Sequence, residues 1–145
     1  MPIHRLNHAV LYVRDVRRSV DFYSNVLGFR PVSMLPAGFS GAGRSTVGLY
    51  HLAWEVDTLA DLERIAIALA DAGGLVGTSD HGTTKSLYGQ DPDGLEFEVV
   101  WLIPADLITP DVQAAGATTR ALDLDAEIAR YGAQTRGGVG VSVPA

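Results

Sequence analysis

The chain of 145 residues has no cysteine. That excludes a disulfide framework and thiolate chemistry, and it fits a reducing compartment. It also has no cluster of Lys and Arg, and its net charge is −6. A surface of that sign offers no footprint for nucleic acid or for an anionic membrane. No apolar run approaches the ~20 residues that span a bilayer, and the start, MPIHRLNHAV, lacks a basic segment leading into an apolar core. The expectation from these absences is a cytoplasmic protein that handles a small molecule. What is present agrees with a folded domain. The hydrophobic share of 47% against a charged share of 19% is enough to bury a core, and the length suits one domain.

Local patterns repeat along the chain. Leu6 to Val13 alternates faces as a strand does, with Leu6, His8, Val10 and Tyr12 on one side. A helix is predicted from Val16 to Leu27, capped by Asp15 and ended by Gly28, with Val20, Tyr23 and Leu27 at helical spacing. Phe29 to Met34 reads as a second strand, and Pro36 to Gly43 as a glycine-rich loop. The pattern then restarts. Tyr50 to Val56 is a predicted strand, and Thr58 to Ala72 a helix with Leu62, Ile65, Ala66 and Leu69 on one face, stopped by Gly73-Gly74. Further strands follow at Leu75–Ser79, Lys85–Gln90 and Leu95–Leu102, the last two joined by a tight turn at Asp91-Pro92-Asp93-Gly94. The offset that carries His8 onto His51 also carries Val13 onto Val56, so a strand-helix-strand unit occurs twice.

The two copies are unequal. Between Met34 and Tyr50 only Ser45 to Val47 offers strand material, whereas the second copy has three runs after its helix. Either the first copy has lost a hairpin, or a stretch of chain is missing at the junction Phe39–Gly43. The expected class is α+β, with one main domain over residues 1–103, modules at about 3–48 and 49–103, and a C-terminal extension over 104–145. In that extension PADLITPDVQAAGATTR has no period and ALDLDAEIARYG suggests one short helix. It is expected to pack over the domain or a neighbouring subunit, and no chemistry is assigned to it.

His8, His51 and Glu98 fall on three different predicted strands. Two imidazoles and one carboxylate form a three-donor set for a divalent metal with open coordination positions. A single histidine in a strand is more often a satisfied core or surface residue than a ligand. Two at equivalent points of a repeat, with an acidic residue on the last strand, favour a metal. On the strand reading all three share the more polar faces, beside Val10 and Tyr12, Ala53 and Glu55, and Glu96 and Val100. The opposite faces, including Leu52, Trp54, Val56, Phe97, Val99 and Trp101, are expected to pack beneath the helices and leave the mixed faces to a cavity. Asp91 to Gly94 shape the turn, and His4 reads as an exposed terminal residue. Glu55 and Glu96 read as cavity-lining or solvated groups, and Arg14, Arg17 and Arg18 as a solvated helix start.

The segments HAVLYVRDVRRSVDFYSNVLGF, YHLAWEV and DHGTTKSLYGQDPDGLEFEV resemble the vicinal oxygen chelate superfamily, over about Ile3 to Trp101. That superfamily includes glyoxalases, fosfomycin-resistance enzymes, bleomycin-binding proteins and extradiol ring-cleaving dioxygenases. The resemblance implies paired βαβββ modules curling into a cup of mixed sheet with the helices outside, the first module here being short of a hairpin. It matches His8, His51 and Glu98 to the family's metal ligands. Within the superfamily the chain is most similar to single-domain proteins like catechol 2,3-dioxygenase. That likeness implies Fe(II), or Mn(II) or another divalent metal, a catecholic aromatic substrate, O₂ and a homodimer. It also implies catalytic roles for Tyr88, ten residues before Glu98, and for His81 on the preceding loop. The bland readings of these two are a strand aromatic and a turn residue. A glyoxalase-type isomerase or lyase and a non-catalytic antibiotic-binding protein are the alternatives.

Overall fold

A computed structural model of the chain describes residues 3–27, 30–31, 47–91, 94–116, 118–138 and 140–142. The predicted strand at 29–34, the loop at 36–43 and the strand material at 45–47 lie outside these, apart from Arg30, Pro31 and Val47. Strands β1 (Ile3–Tyr12), β2 (Gly48–Val56), β3 (Leu75–Asp80), β4 (Thr84–Gln90) and β5 (Glu96–Leu102) form one mixed sheet in the order β1-β2-β5-β4-β3. Helices α1 (Val16–Leu27), α2 (Leu59–Asp71), α3 (Pro110–Ala115) and α4 (Leu124–Tyr131) complete the described elements, with a 3₁₀ turn at Ala105–Leu107. The fold is α+β, and β2-α2-β3-β4-β5 is a complete βαβββ module.

The chain divides into two compact units, residues 9–50 and residues 1–8 with 51–145. In the smaller unit α1 starts as predicted. The Asp15 side chain accepts the Arg18 N–H at 3.0 Å, satisfying one of the helix's open donors. Tyr12 and Tyr50 stack with ring centroids 4.9 Å apart in the same unit.

The larger unit holds the core. Thr58 caps α2, its hydroxyl accepting the Asp61 N–H at 3.2 Å, so the predicted start is one residue early. Gly73, at φ +69°, turns the chain out of the helix in a conformation that a β-carbon would strain. Leu59 and Leu62 are fully buried against Leu87, Val99, Trp101 and Ile103. Burial of each leucine contributes about 1.5–3 kcal/mol. Ile65 and Ala66 pack on the rim of this cluster, as their spacing predicts.

Strand β5 is central, parallel to β2 and antiparallel to β4, with Glu98 opposite Ala53 on one side and Tyr88 on the other. The β4–β5 turn closes as its sequence predicts where it is described: Asp91 accepts the Gly94 N–H on its carbonyl and the Leu95 N–H on its side chain, both at 2.9 Å.

Two expectations fail here. The extension carries two α-helices, not one, because Thr109 caps α3 and Pro110 occupies its first turn. On β2 the mixed face is the better buried: Ala53 and Glu55 are fully enclosed, whereas Leu52 and Trp54 are half-buried. Glu55 is therefore neither solvated nor lining open space. Arg5 Nε donates to it at 2.7 Å, and a β-carbon at Gly138 would lie 2.1 Å from its Oε1, so the C-terminal tail closes directly over it.

The extension is an integral part of this unit. Ile108, Val112, Leu122, Leu124, Ile128 and Tyr131 join the same core. Beneath α4, Lys85 is buried, donating to Asp80 at 2.6 Å and pairing with Glu127 at 2.9 Å. Arg120 holds the other Asp80 oxygen at 2.9 Å.

Candidate metal centre

Three strands bring the predicted donors together. His51 and Glu98 point to the same side because residues at register positions 53 and 98 are opposite each other and His51 lies two residues from Ala53. The Nε2 atoms of His8 and His51 approach the same Glu98 oxygen, at 3.3 and 3.1 Å. The three donor atoms lie within 4.8 Å of one another, and among the described residues this is the group of His, Asp and Glu side chains close enough to share an ion. His51 and Glu98 are buried, and His8 is the exposed member. Two imidazole nitrogens and a carboxylate oxygen converging from one side suit a divalent first-row metal, so the residues present fit such an ion.

The electrostatics agree. Burial pushes the Glu98 carboxyl up, but hydrogen bonds from His8 and Ser86, with the charges of His8 and His51, outweigh it and hold Glu98 below the usual carboxylate range. The Ser86 hydroxyl donates to the second Glu98 oxygen at 2.6 Å, fixing which oxygen faces the histidines.

His81 and Tyr88 lie beside this group. The Tyr88 and His51 rings meet edge to face with centroids 6.0 Å apart. His81 Nε2 is 3.1 Å from the Tyr88 hydroxyl and 2.7 Å from the Ser79 hydroxyl. Thr119, from the extension, reaches His81 Nδ1 at 3.3 Å. Burial raises the Tyr88 pKa above that of an ordinary phenol, and the negative charge of Glu98 adds to the rise against an opposing hydrogen bond from Ser79. The loop that carries His81 is held from both sides. Asp80 accepts the Gly82 N–H at 2.8 Å, and a β-carbon at Gly82 would come within 2.5 Å of the α3 backbone at Val112 and Gly116.

Ser79, Ser86 and Thr119 were absent from the residues that the sequence nominates. Ser79 and Ser86 stand opposite each other in the β3–β4 register, two residues from His81 and Tyr88 respectively. Their position on the polar face was the available signal. Thr119 had none, since its place depends on how the extension folds back.

A profile of the Glyoxalase/Bleomycin resistance protein/Dioxygenase superfamily matches residues 5–47. The chain is 31% identical to the catechol-2,3-dioxygenase of Bacillus subtilis (strain 168), over 65% of this chain and 40% of that protein. It is 30% identical to the lactoylglutathione lyase of Escherichia coli O157:H7, over 66% of this chain and 91% of that protein. Among solved structures it resembles the Mn(II)-bound glyoxalase from Novosphingobium aromaticivorans, with a TM-score of 0.57 and 25% identity, over 68% of this chain and 38% of that one. The chain thus spans well under half of the Bacillus and Novosphingobium proteins and nearly all of the Escherichia enzyme. With the α+β fold and the clustered donors, these matches make the chain a member of the Glyoxalase/Bleomycin resistance protein/Dioxygenase superfamily.

Proposed function

We propose that the chain holds Fe(II), with Mn(II) as the alternative ion, on His8, His51 and Glu98, and that it opens a catecholic ring beside one hydroxyl with both atoms of O₂ entering the product. The observation that carries this reading is the hydrogen-bonded set of His81, Ser79 and Tyr88 next to the three donors. What the metal supplies when bound is a charged centre with open positions at which an aromatic diol and O₂ can meet.

The chain's own residues account for the remaining work. Glu98 stays ionised, and Ser86 keeps its metal-facing oxygen turned toward the histidines. Tyr88 stays protonated through the neutral range because its pKa is raised, so its O–H is available to donate to a substrate oxygen. His81 is half-buried, with Nε2 toward Tyr88 and Nδ1 toward Thr119. A neutral imidazole in that position accepts the proton of a catechol hydroxyl on Nε2 and returns it to the product.

Glyoxalase-type isomerisation is the second reading, favoured by the 91% coverage of the Escherichia lactoylglutathione lyase. Anaerobic reconstitution with each metal, followed by a catechol panel scored for ring-fission product and O₂ uptake, separates the two. Product with Fe(II) supports the first reading. Metal retention with hemithioacetal isomerisation supports the second, and neither metal retention nor product refutes both. His51→Ala and Glu98→Gln are expected to abolish metal retention. His81→Ala is expected to slow turnover by about 10²–10⁴-fold with the metal kept, and a silent variant removes the proton-transfer role. Assembly as a homodimer belongs to the same reading and is checked by light scattering.

A further inference from the structure

Glu55 is fully enclosed, and one intervening side chain links it to His8. One carboxylate oxygen accepts from Arg5 Nε at 2.7 Å, and the other accepts from the Asn7 side-chain NH₂ at 2.8 Å. That second bond fixes the Asn7 amide, whose oxygen then lies 2.5 Å from His8 Nδ1. An amide oxygen can only accept, so the proton between them sits on Nδ1. With Nδ1 held in this way, Nε2 is the atom that faces Glu98. We infer that Asn7 and Glu55 are positioning residues that hold His8 Nδ1 as a hydrogen-bond donor and aim Nε2 at the metal. The inference rests on the metal reading above for its purpose, while the Nδ1 anchor itself does not depend on it.

The arrangement solves a problem particular to His8. Its side chain is 42% exposed, against 8% for His51, so packing alone leaves its ring free to turn. A ligating histidine needs its other nitrogen anchored, and in this chain the anchor is a neutral amide backed by a buried carboxylate. Glu55 cannot retreat from Asn7. Gly138 lies against its Oε1, and Arg5 also bonds Asp57 at 3.1 Å, tying the carboxylate to the end of β2.

The test uses the full chain with ¹⁵N-labelled histidine, metal-free, at about pH 8, above the ordinary imidazole range. Long-range ¹H–¹⁵N correlation reads the proton on Nδ1, and His8→Ala identifies the signals. The expected result is a protonated Nδ1 on His8 in the wild type. Asn7→Ala should lose that fixed proton and bind Mn(II) about 10–100-fold more weakly. Glu55→Gln keeps an acceptor for Asn7, so it should preserve the Nδ1 proton and hold Mn(II) affinity within about threefold of wild type, a loss well short of the range for a broken anchor, even though it loses the ion pair to Arg5. An unprotonated Nδ1 in the wild type overturns the inference, as does an Asn7→Ala protein with wild-type Mn(II) affinity. Wild-type protein that keeps the Nδ1 proton but does not bind Mn(II) supports the anchor and refutes the metal reading alone.

Discussion

Replacing Lys85 with methionine removes one cation from between two carboxylates in the interior. Lys85 is 1% exposed, with Nζ 2.6 Å from Asp80 and 2.9 Å from Glu127. Methionine fills much of the same volume, so the cost is electrostatic and not a cavity. Asp80 keeps Arg120 at 2.9 Å and the Gly82 N–H at 2.8 Å, whereas Glu127 loses its ion pair to Lys85. Removing one member of a buried pair costs about 3–5 kcal/mol. The surviving partners of Asp80 place the loss at the lower end, about 3 kcal/mol. At about 2–4 °C per kcal/mol for a chain near this size, Tm should fall by about 6–12 °C. Adding Glu127→Gln removes the stranded charge and should restore about half of the loss. Urea titration followed by Trp fluorescence measures both variants, since Trp101 lies in the affected core. A loss below about 1 kcal/mol for Lys85→Met would fall under the range for a broken buried pair and refute the reasoning. So would a double variant no more stable than the single one.

Other outcomes are equally specific. Ser86→Ala removes the 2.6 Å hydrogen bond to Glu98 and should weaken Mn(II) binding about 10–100-fold by titration; an unchanged affinity would show that the carboxylate orients itself. At Asp80, burial raises the pKa but the hydrogen bonds from Lys85 and Gly82 and the charges of Lys85 and Arg120 outweigh it, so the folded value lies below the ordinary 3.8. Its stabilisation is therefore fully present above 3.8 and is lost as pH falls through the depressed folded value, which a urea midpoint measured down the acid limb will follow. Lys85→Met should make that limb shallower. Gly137→Ala would set a β-carbon 1.8 Å from the Leu102 carbonyl oxygen and should cost about 1–3 kcal/mol, with tail proteolysis as an independent readout.

The clustering of His8, His51 and Glu98 was legible in the sequence because two periodicities coincide on them. Strand alternation assigns a face to each, and the repeat offset gives His8 and His51 equivalent places. The bounds of α1 and α2 were legible for a similar reason, each having apolar spacing between identifiable caps. α3 was not, because its six residues make less than two turns and show no period, although Thr109-Pro110 carried a capping signal. Glu55 was misread because what encloses it, the backbone at Gly138, comes from a tail without periodic pattern. Asn7 and Thr119 were silent for a related reason. A small polar side chain acquires its role from the partner that folding brings to it.

The parallel pairing of β2 with β5 has a kinetic consequence. These are the first and last strands of the module, and His51 and Glu98 stand 47 residues apart in the chain. No local segment brings them within reach, since α2, β3 and β4 lie between them in the chain. Closure of that loop is entropically costly, and sheets built on such distant pairings form slowly. On the proposed metal reading, ion capture would report completion of folding: an ion added early in refolding would find two of the proposed donors still on separate stretches of chain.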